Sequence, residues 1–582
     1  MQLIQDNTLT TIHFTEDPST IEKVDDFLYD HLAADVTGAN FSPAFKKGQW
    51  DGKTHFYNKN EHSFATGLTV DVTKYLEKIR FDYEFSFEVI DNRPDKFIKE
   101  KDVPDTISLG GLDLRDYQMN AVKAVFKGNG GIINVATGGG KTLIGAAIVD
   151  LVRQHLNPGE RIAFFTNNKE IFRQNIKNLS DFLPEKVGYL GGGKKKMARI
   201  MVVMIPTAES YLKIDPEAGL KFTEKERQIK KMAKTYAPMF VNEEHPYQAF
   251  KSFVSLYQPV KKVDFKTQQT LEDIRDTVGT DKQLVDKLND YIKQYNDLVT
   301  EKAGELVEKK KFITDLLDSF VLFIGDEVHH TKADTWYRVL LSCHNAIYKV
   351  GLSGSIDKDD PVMWDRLRGV FGSIIAKVRT KELVDEGILA KPTVVMIPIN
   401  EPQEVKALTT KGKGWQKIYK LGIEENQYRN TLIAGIAKKQ YENDKSVLVI
   451  VNRINQADII SAYLDALSIP HEFINGQQDD TQRKDELARV ATGENRVLLA
   501  TSVLDEGVDI SNIDTLIMAA GGKSMRQVIQ RIGRVLRKKK GKENKATIFD
   551  FDDRQNPALK KHTNDRLAIY KEQEFEVKYV GN

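Results

Sequence analysis

A strand, a glycine turn and a helix follow one another without a break from Gly131 to Val152, reading G-I-I-N-V-A, T-G-G-G, then K-T-L-I-G-A-A-I-V-D-L-V. The first run has no polar face, which suits a parallel strand covered by helices on both sides. The pattern recurs. R-I-A-F-F-T at 161–166, I-M-V-V-M-I at 200–205 and F-V-L-F-I-G at 320–325 are further apolar runs, most of them leading into helical periodicity. A second series starts near S-V-L-V-I-V at 446–451 and continues through R-V-L-L-A-T at 496–501, T-L-I-M-A-A at 515–520 and A-T-I-F-D-F at 546–551. Alternation of this kind predicts the α/β class, with two parallel-sheet domains in tandem.

Five segments are expected. Residues 1–105 mix short strands with a helical stretch, a small α+β domain closed by Pro104 and Gly110-Gly111. The first parallel-sheet domain runs over 106–385 and the second over 386–560, with a helical tail at 561–582. Residues 211–312 interrupt the first series as a charged, helix-favouring insertion. Within it Thr280 opens T-D-K-Q, a capping box ending at Gln283. Beyond the cap, Leu284, Leu288, Ile292, Tyr295 and Val299 recur at helical spacing, so one amphipathic helix is expected to about Lys311.

Bulk properties narrow the chemistry. At 582 residues the chain exceeds what one core supports. No apolar run is long enough to span a bilayer, and the start M-Q-L-I-Q-D-N-T lacks the marks of a signal peptide. Cys343 is the single cysteine, which excludes an intrachain disulfide and a cysteine-based zinc site. A cytoplasmic location, without membrane partners, is the expectation. The net charge of +2 means that any polyanion must be held by local basic surface.

The glycine turn carries the first chemistry. Gly138, Gly139 and Gly140 let backbone N–H groups approach phosphates, and the helix N-terminus adds favourable dipole charge. Lys141 is positioned to reach the β- and γ-phosphates of ATP, and the Thr142 hydroxyl to ligate Mg²⁺. Val135 occupies the first glycine position of the strict phosphate-loop pattern. Downstream, F-V-L-F-I-G ends in D-E-V-H-H, Asp326 to His330. A carboxylate at the end of a buried parallel strand faces the crevice where nucleotides bind. Asp326 suits Mg²⁺ and Glu327 suits the base that orients and deprotonates a water. A surface acidic turn, or a metal site at His329 and His330, is the plainer alternative.

These residues resemble the superfamily 2 helicases, whose fold is a tandem pair of RecA-like motor domains. D-E-V-H resembles the DExH box. L-R-D-Y-Q, Leu114 to Gln118, resembles the adenine-reading motif, which implies that Arg115 and Gln118 contact the nucleotide. G-L-S-G-S, Gly351 to Ser355, resembles the motif coupling hydrolysis to DNA. A-T-S-V-L-D-E-G-V-D-I, Ala500 to Ile510, resembles a segment that brings Gly507 and Asp509 to the nucleotide, Asp509 at the ribose. Q-R-I-G-R-V-L-R, Gln530 to Arg537, resembles the segment presenting Arg534 and Arg537 as arginine fingers, with Gln530 bridging towards His329. Arg suits that role because its charge is permanent and its planar fork fits phosphate oxygens.

The segment N-F-S-P-A-F-K-K-G-Q-W-D-G-K, Asn40 to Lys53, resembles the N-terminal element of the phage UvsW-type recombination helicases. That resemblance implies action on branched DNA and RNA–DNA hybrids, recombination or single-strand-binding protein partners, and a host bacterial cytoplasm. Candidate nucleic-acid contacts are Thr166, Thr207, Asn452 and Thr501, together with Lys46, Lys47 and Trp50. Hydroxyls and amides suit phosphate oxygens, and equally suit helix caps. The aromatics Phe41, Phe45 and Trp50 suit a small hydrophobic core as well as a strand junction. A restriction-complex motor, an RNA helicase and an ATP-gated platform that does not translocate are the other functions compatible with these residues. No nuclease constellation stands out in the first hundred residues.

Overall fold

The structure is a computed structural model that describes every residue except 244, 259–263, 330–333, 357, 359, 411–413, 479, 502–512, 522–543 and 581–582. Its strands are β1 (Gln2–Gln5), β2 (Leu9–His13), β3 (Ala33–Asp35), β4 (Lys53–His55), β5 (Tyr57–Asn58), β6 (Ser63–Ala65) and β7 (Glu88–Asp91) in the N-terminal segment. Five of these form a sheet in the order β5-β6-β2-β1-β7, and β3 and β4 pair separately. Helices Pro18–His31 and Thr69–Ile79 supply Val24, Leu28, Val72 and Leu76 to the core beneath the sheet, against Leu3, Ile12 and Phe64. Asp17 starts the first helix by accepting from the Ser19 and Thr20 amides.

A hairpin, β8 (Ser108–Leu109) and β9 (Leu112–Asp113), leads into β10 (Gly130–Val135), β11 (Arg161–Thr166), β12 (Val187–Gly191), β13 (Lys194–Lys196), β14 (Ile200–Met204), β15 (Phe320–Asp326), β16 (Tyr348–Ser353) and β17 (Ile374–Val378). The sheet order is β13-β12-β14-β11-β15-β16-β10-β17, parallel throughout except for β13. β15 and β14 are buried at every position, as their unbroken apolar runs predict. The order puts β16 between β10 and β15. The carboxyl ends of these three strands therefore open side by side.

The second sheet contains β18 (Lys391–Ile399), β19 (Val447–Ile450), β20 (Glu472–Ile474), β21 (Val497–Ala500), β22 (Thr515–Ile517), β23 (Lys545–Asp553) and β24 (Glu576–Tyr579), all parallel, in the order β20-β21-β19-β22-β23-β18-β24. The series thus begins at Lys391, not near Ser446. Pro392 and Pro398 lie within β18 and mask it, since proline lacks the N–H that a ladder uses. The C-terminal segment is also more than helical: helix Pro557–Glu572 is followed by β24, which pairs with β18. The two parallel sheets make the fold class α/β with tandem RecA-like domains.

Residues Glu209–Leu316 form a compact unit of their own. Met232, Tyr236, Phe240, Phe250, Leu271, Leu284 and Leu288 make its core. Thr280 Oγ1 accepts from the Gln283 amide at 3.3 Å, and Gln283 Oε1 accepts from the Gly279 amide at 2.9 Å, one residue earlier than a strict capping box. The helix beginning there extends to Asp318, past the expected Lys311, and is interrupted by non-helical backbone at Ala303. Among the described residues, no helix is long and apolar enough to cross a membrane.

Candidate active site

The turn after β10 is built for glycine. Gly138 and Gly140 have φ of 89° and 79°, in the left-handed region that favours glycine. A Cβ on Gly140 would lie 2.4 Å from Gln118 Nε2, and one on Gly139 would lie 2.5 Å from Val135 Cγ1. Lys141 then opens helix Lys141–Arg153, whose N-terminus has no side-chain cap, and Thr142 follows it. Such an uncapped end leaves amide donors facing outward with the positive end of the helix dipole.

Gln118 is buried and holds this turn from behind. Its Nε2 donates to the Gly139 carbonyl at 3.1 Å, and its Oε1 accepts from the Arg115 amide at 2.9 Å. Tyr117 Oη donates to the same Gly139 carbonyl at 2.9 Å. Gln118, the residue expected at the adenine, thus contacts the phosphate-binding turn itself in this structure. Arg115 is exposed at the start of helix Asp116–Lys127.

Opposite the turn, β15 delivers Asp326 and Glu327. Lys141 Nζ lies 3.2 Å from Glu327 Oε1, and His329 Nδ1 lies 3.3 Å from Glu327 Oε2. His329 Nδ1 is also 3.2 Å from Ser353 Oγ, which donates to the Ser355 carbonyl at 2.7 Å. A Cβ on Gly354 would lie 2.9 Å from Lys141 Nζ and 3.0 Å from Thr137 Oγ1, so G-L-S-G-S abuts the glycine turn. Segments near 118, 140, 327 and 353 thus converge on one place. Glu327 reaches it with φ of 53°, an uncommon conformation outside glycine.

Burial shapes the charges. Asp326 accepts from Asn175 Nδ2 at 3.0 Å, yet burial and the neighbouring Glu327 charge push its carboxyl up to about 6. Burial would also raise Glu327, but the Lys141 ammonium and His329 more than offset it and hold that carboxyl well below the usual range. Of the two carboxyls, Asp326 takes up a proton first as pH falls. Asn175 lies 151 residues from Asp326, and no sequence motif marks it or Tyr117 as a site residue. Only long-range packing brings Asn175 there, whereas Tyr117 adjoins Gln118, which a motif does mark.

The second half of the site is sparser. Gly507, Asp509, Gln530, Arg534 and Arg537 lie outside the described residues. The strand end that leads toward the arginine segment is described. There Arg429 Nη1 donates to the Ala519 carbonyl at 2.6 Å, and Tyr419 Oη to the Ala520 carbonyl at 2.8 Å. Asn452 is exposed, and its Nδ2 donates to the Ala520 carbonyl at 3.3 Å.

The remaining candidates are scattered in character. Thr166 ends β11 fully buried, and the cap of the following helix is Asn168. Thr207 is half-buried inside helix Ile205–Leu212. Thr501 is buried at the end of β21. Lys46 and Lys47 are exposed in the loop between β3 and β4, and Trp50 is half-buried there, donating from Nε1 to the Lys53 carbonyl at 2.8 Å. Phe41 and Phe45 are exposed, which removes them from the hydrophobic core.

Three family descriptions match in chain order: "DNA helicase UvsW, N-terminal" at 14–88, "Type III restriction enzyme, res subunit" at 111–272, and "Helicase conserved C-terminal domain" at 428–539. The chain carries the domains of a superfamily 2 helicase. It resembles the ATP-dependent DNA helicase uvsW of Enterobacteria phage T4, at 26% identity over 44% of this chain and 53% of that protein, so the match spans about half of the phage helicase. The DNA 3'-5' translocase XPB2 of Sulfurisphaera tokodaii is 24% identical over 86% of this chain and 92% of its own length. Among solved structures, T4 UvsW aligns over 100% of this chain and 99% of its own at 18% identity, with a TM-score of 0.38. Saccharomyces cerevisiae Dbp5 bound to RNA and ADP BeF3 aligns over 80% and 89% at 14% identity, with a TM-score of 0.45.

Proposed function

We propose that this helicase is an ATP-dependent DNA translocase that unwinds or remodels branched DNA (forks, Holliday-type junctions and R-loops) in recombination, replication and repair. The observation that carries the reading is the run from Lys141 through Glu327 and His329 to Ser353, with successive contacts of 3.2, 3.3 and 3.2 Å. It joins a phosphate-binding turn to a carboxylate base and to the G-L-S-G-S segment. The arriving γ-phosphate competes for the Lys141 ammonium. As that charge turns toward phosphate, Glu327 regains basicity and accepts the proton of the attacking water. Arg534 and Arg537 supply positive charge to the γ-phosphate from the second domain.

Thr142 and Asp326 are hard oxygen donors, and the raised Asp326 carboxyl is one that a cation would stabilise as carboxylate. They are the residues that would hold Mg²⁺, which neutralises phosphate charge when bound. DNA, single-stranded and branched, is the proposed partner, with RNA–DNA hybrid as a second substrate.

The test compares ATP turnover and unwinding on single strands, blunt duplex, forks and four-way junctions. Preference for forks and junctions supports the reading. Equal response to all four removes the branched-DNA part and leaves a general motor.

A further inference from the structure

Residues 36–52 form a loop between β3 and β4 of the N-terminal segment. The base is closed by antiparallel pairing of Ala34 with Thr54 and Asp35 with Lys53. Above it, the Val36 amide donates to the Gly52 carbonyl at 2.9 Å, the Phe41 amide to Gly38 at 3.0 Å and the Gln49 amide to Ala44 at 2.9 Å. Gly38, Gly48 and Gly52 take φ of 82°, 66° and 83°, so the path is one that glycine permits and other residues resist. A Cβ on Gly52 would lie 2.8 Å from the Phe45 ring, so that ring lies against the backbone and braces the loop.

Phe41 projects from this braced loop with 77% of its surface exposed. Phe81 is equally exposed at 77%, but its ring face carries the Arg80 guanidinium at 4.6 Å. Phe41 has no ring or cation partner among the described residues. On the same loop and its return strand, Lys46, Lys47 and Lys53 are exposed and carry no ion pair among the described residues, while Asp51, the one acid in the loop, is engaged by His55 at 2.7 Å. The loop therefore presents an exposed aromatic together with three lysines free of ion pairs among the described residues. Its base is held: β3 packs on helix Pro361–Phe371, and Phe56 after β4 meets Tyr337 edge-on with ring centroids 6.4 Å apart.

We propose that Phe41 stacks on the exposed base pair at a DNA junction while Lys46, Lys47 and Lys53 hold the flanking backbone, an inference that rests on the branched-DNA reading above. Stacking requires a free ring face at fixed height, and phosphate contact requires lysines without partners. Both are present on this loop. A peptide partner would draw on the same apolar ring but gives no role to three unpaired lysines.

The experiment uses the full chain and a fork carrying 2-aminopurine at the junction. Wild type quenches or enhances the probe on binding. Phe41→Ser abolishes that change and lowers the ratio of fork unwinding to single-strand-stimulated ATP turnover about tenfold, and Phe41→Trp restores both. Lys46→Glu with Lys47→Glu reduces the salt slope of fork affinity by about 1–2, as expected for lost phosphate contacts. A normal ratio and a normal probe response in Phe41→Ser, with an active wild type, overturn this inference alone. A wild type that does not respond to any DNA overturns the motor reading and this inference with it.

Discussion

Lys141 Nζ and Glu327 Oε1 stand 3.2 Å apart at the carboxyl ends of two strands of one sheet. Each is the other's nearest opposite charge, and His329 flanks the carboxylate on its second oxygen. The pair ties the glycine turn to the DExH segment. It also accounts for the opposite shifts of the two neighbouring carboxyls, Glu327 down and Asp326 up.

Gln118 tests how the nucleotide is held. In this structure its amide supports the Gly139 carbonyl. Gln118→Ala leaves that carbonyl with Tyr117 alone, at a cost of about 1–3 kcal/mol for a polar group less well satisfied. The KM for ATP and for GTP should then rise together by about tenfold, since the loop and not the base is affected. Loss of ATP-over-GTP preference, with the KM for GTP unchanged, would instead assign Gln118 to the adenine.

Arg534→Ala should keep nucleotide binding and lose DNA-stimulated hydrolysis by about a thousandfold, the scale typical of an arginine finger. Fluorescent-nucleotide affinity and steady-state turnover measured on one preparation separate the two effects. Unchanged stimulated rates would remove the finger role.

Lys349 gives a pH dependence. It is buried in β16 with its ammonium donating to the Asn7 carbonyl, and burial, reinforced by Arg93, pushes its pKa down from 10.5 to about 7. Below about 7 the residue is charged in both folded and unfolded chains. Between about 7 and 10.5 only the unfolded chain keeps the proton, so this lysine makes stability rise with pH across that window, by at most about 1.4 kcal/mol per unit. Chemical denaturation of wild type and Lys349→Met from pH 6 to 10 should show a flatter profile in the variant. Parallel profiles would contradict the assignment.

The strand–turn–helix at Gly131–Val152 and the other mostly apolar runs were legible because a buried parallel strand has few polar positions to disguise it. β18 was hidden by Pro392 and Pro398, and β24 by its charged, mostly exposed sequence. At the site, residue identities point to phosphate chemistry, but pairings do not. Asn175 on Asp326 and Ser353 beside His329 depend on which strands become neighbours, which no local pattern encodes. Phe41 suits a core and a strand junction equally well by composition. Only the fold turns it outward.

The Glu209–Leu316 unit has its own hydrophobic core, so it should be dispensable for the motor. Replacing most of 215–310 by a short flexible linker should leave a soluble protein whose ATP turnover is within about threefold of wild type, since a unit with its own core can be lost without opening another. Size-exclusion chromatography and turnover check this. Failure to fold would show that the unit is not dispensable.

The most direct measurement is ATP turnover on forked DNA by wild type, Lys141→Ala and Glu327→Gln, with nucleotide affinity and melting temperature recorded alongside. Both variants should remain folded and lose DNA-stimulated turnover by about a hundredfold or more, Glu327→Gln while still binding ATP. Turnover near the wild-type rate in either variant would contradict hydrolysis at the Lys141–Glu327 pair.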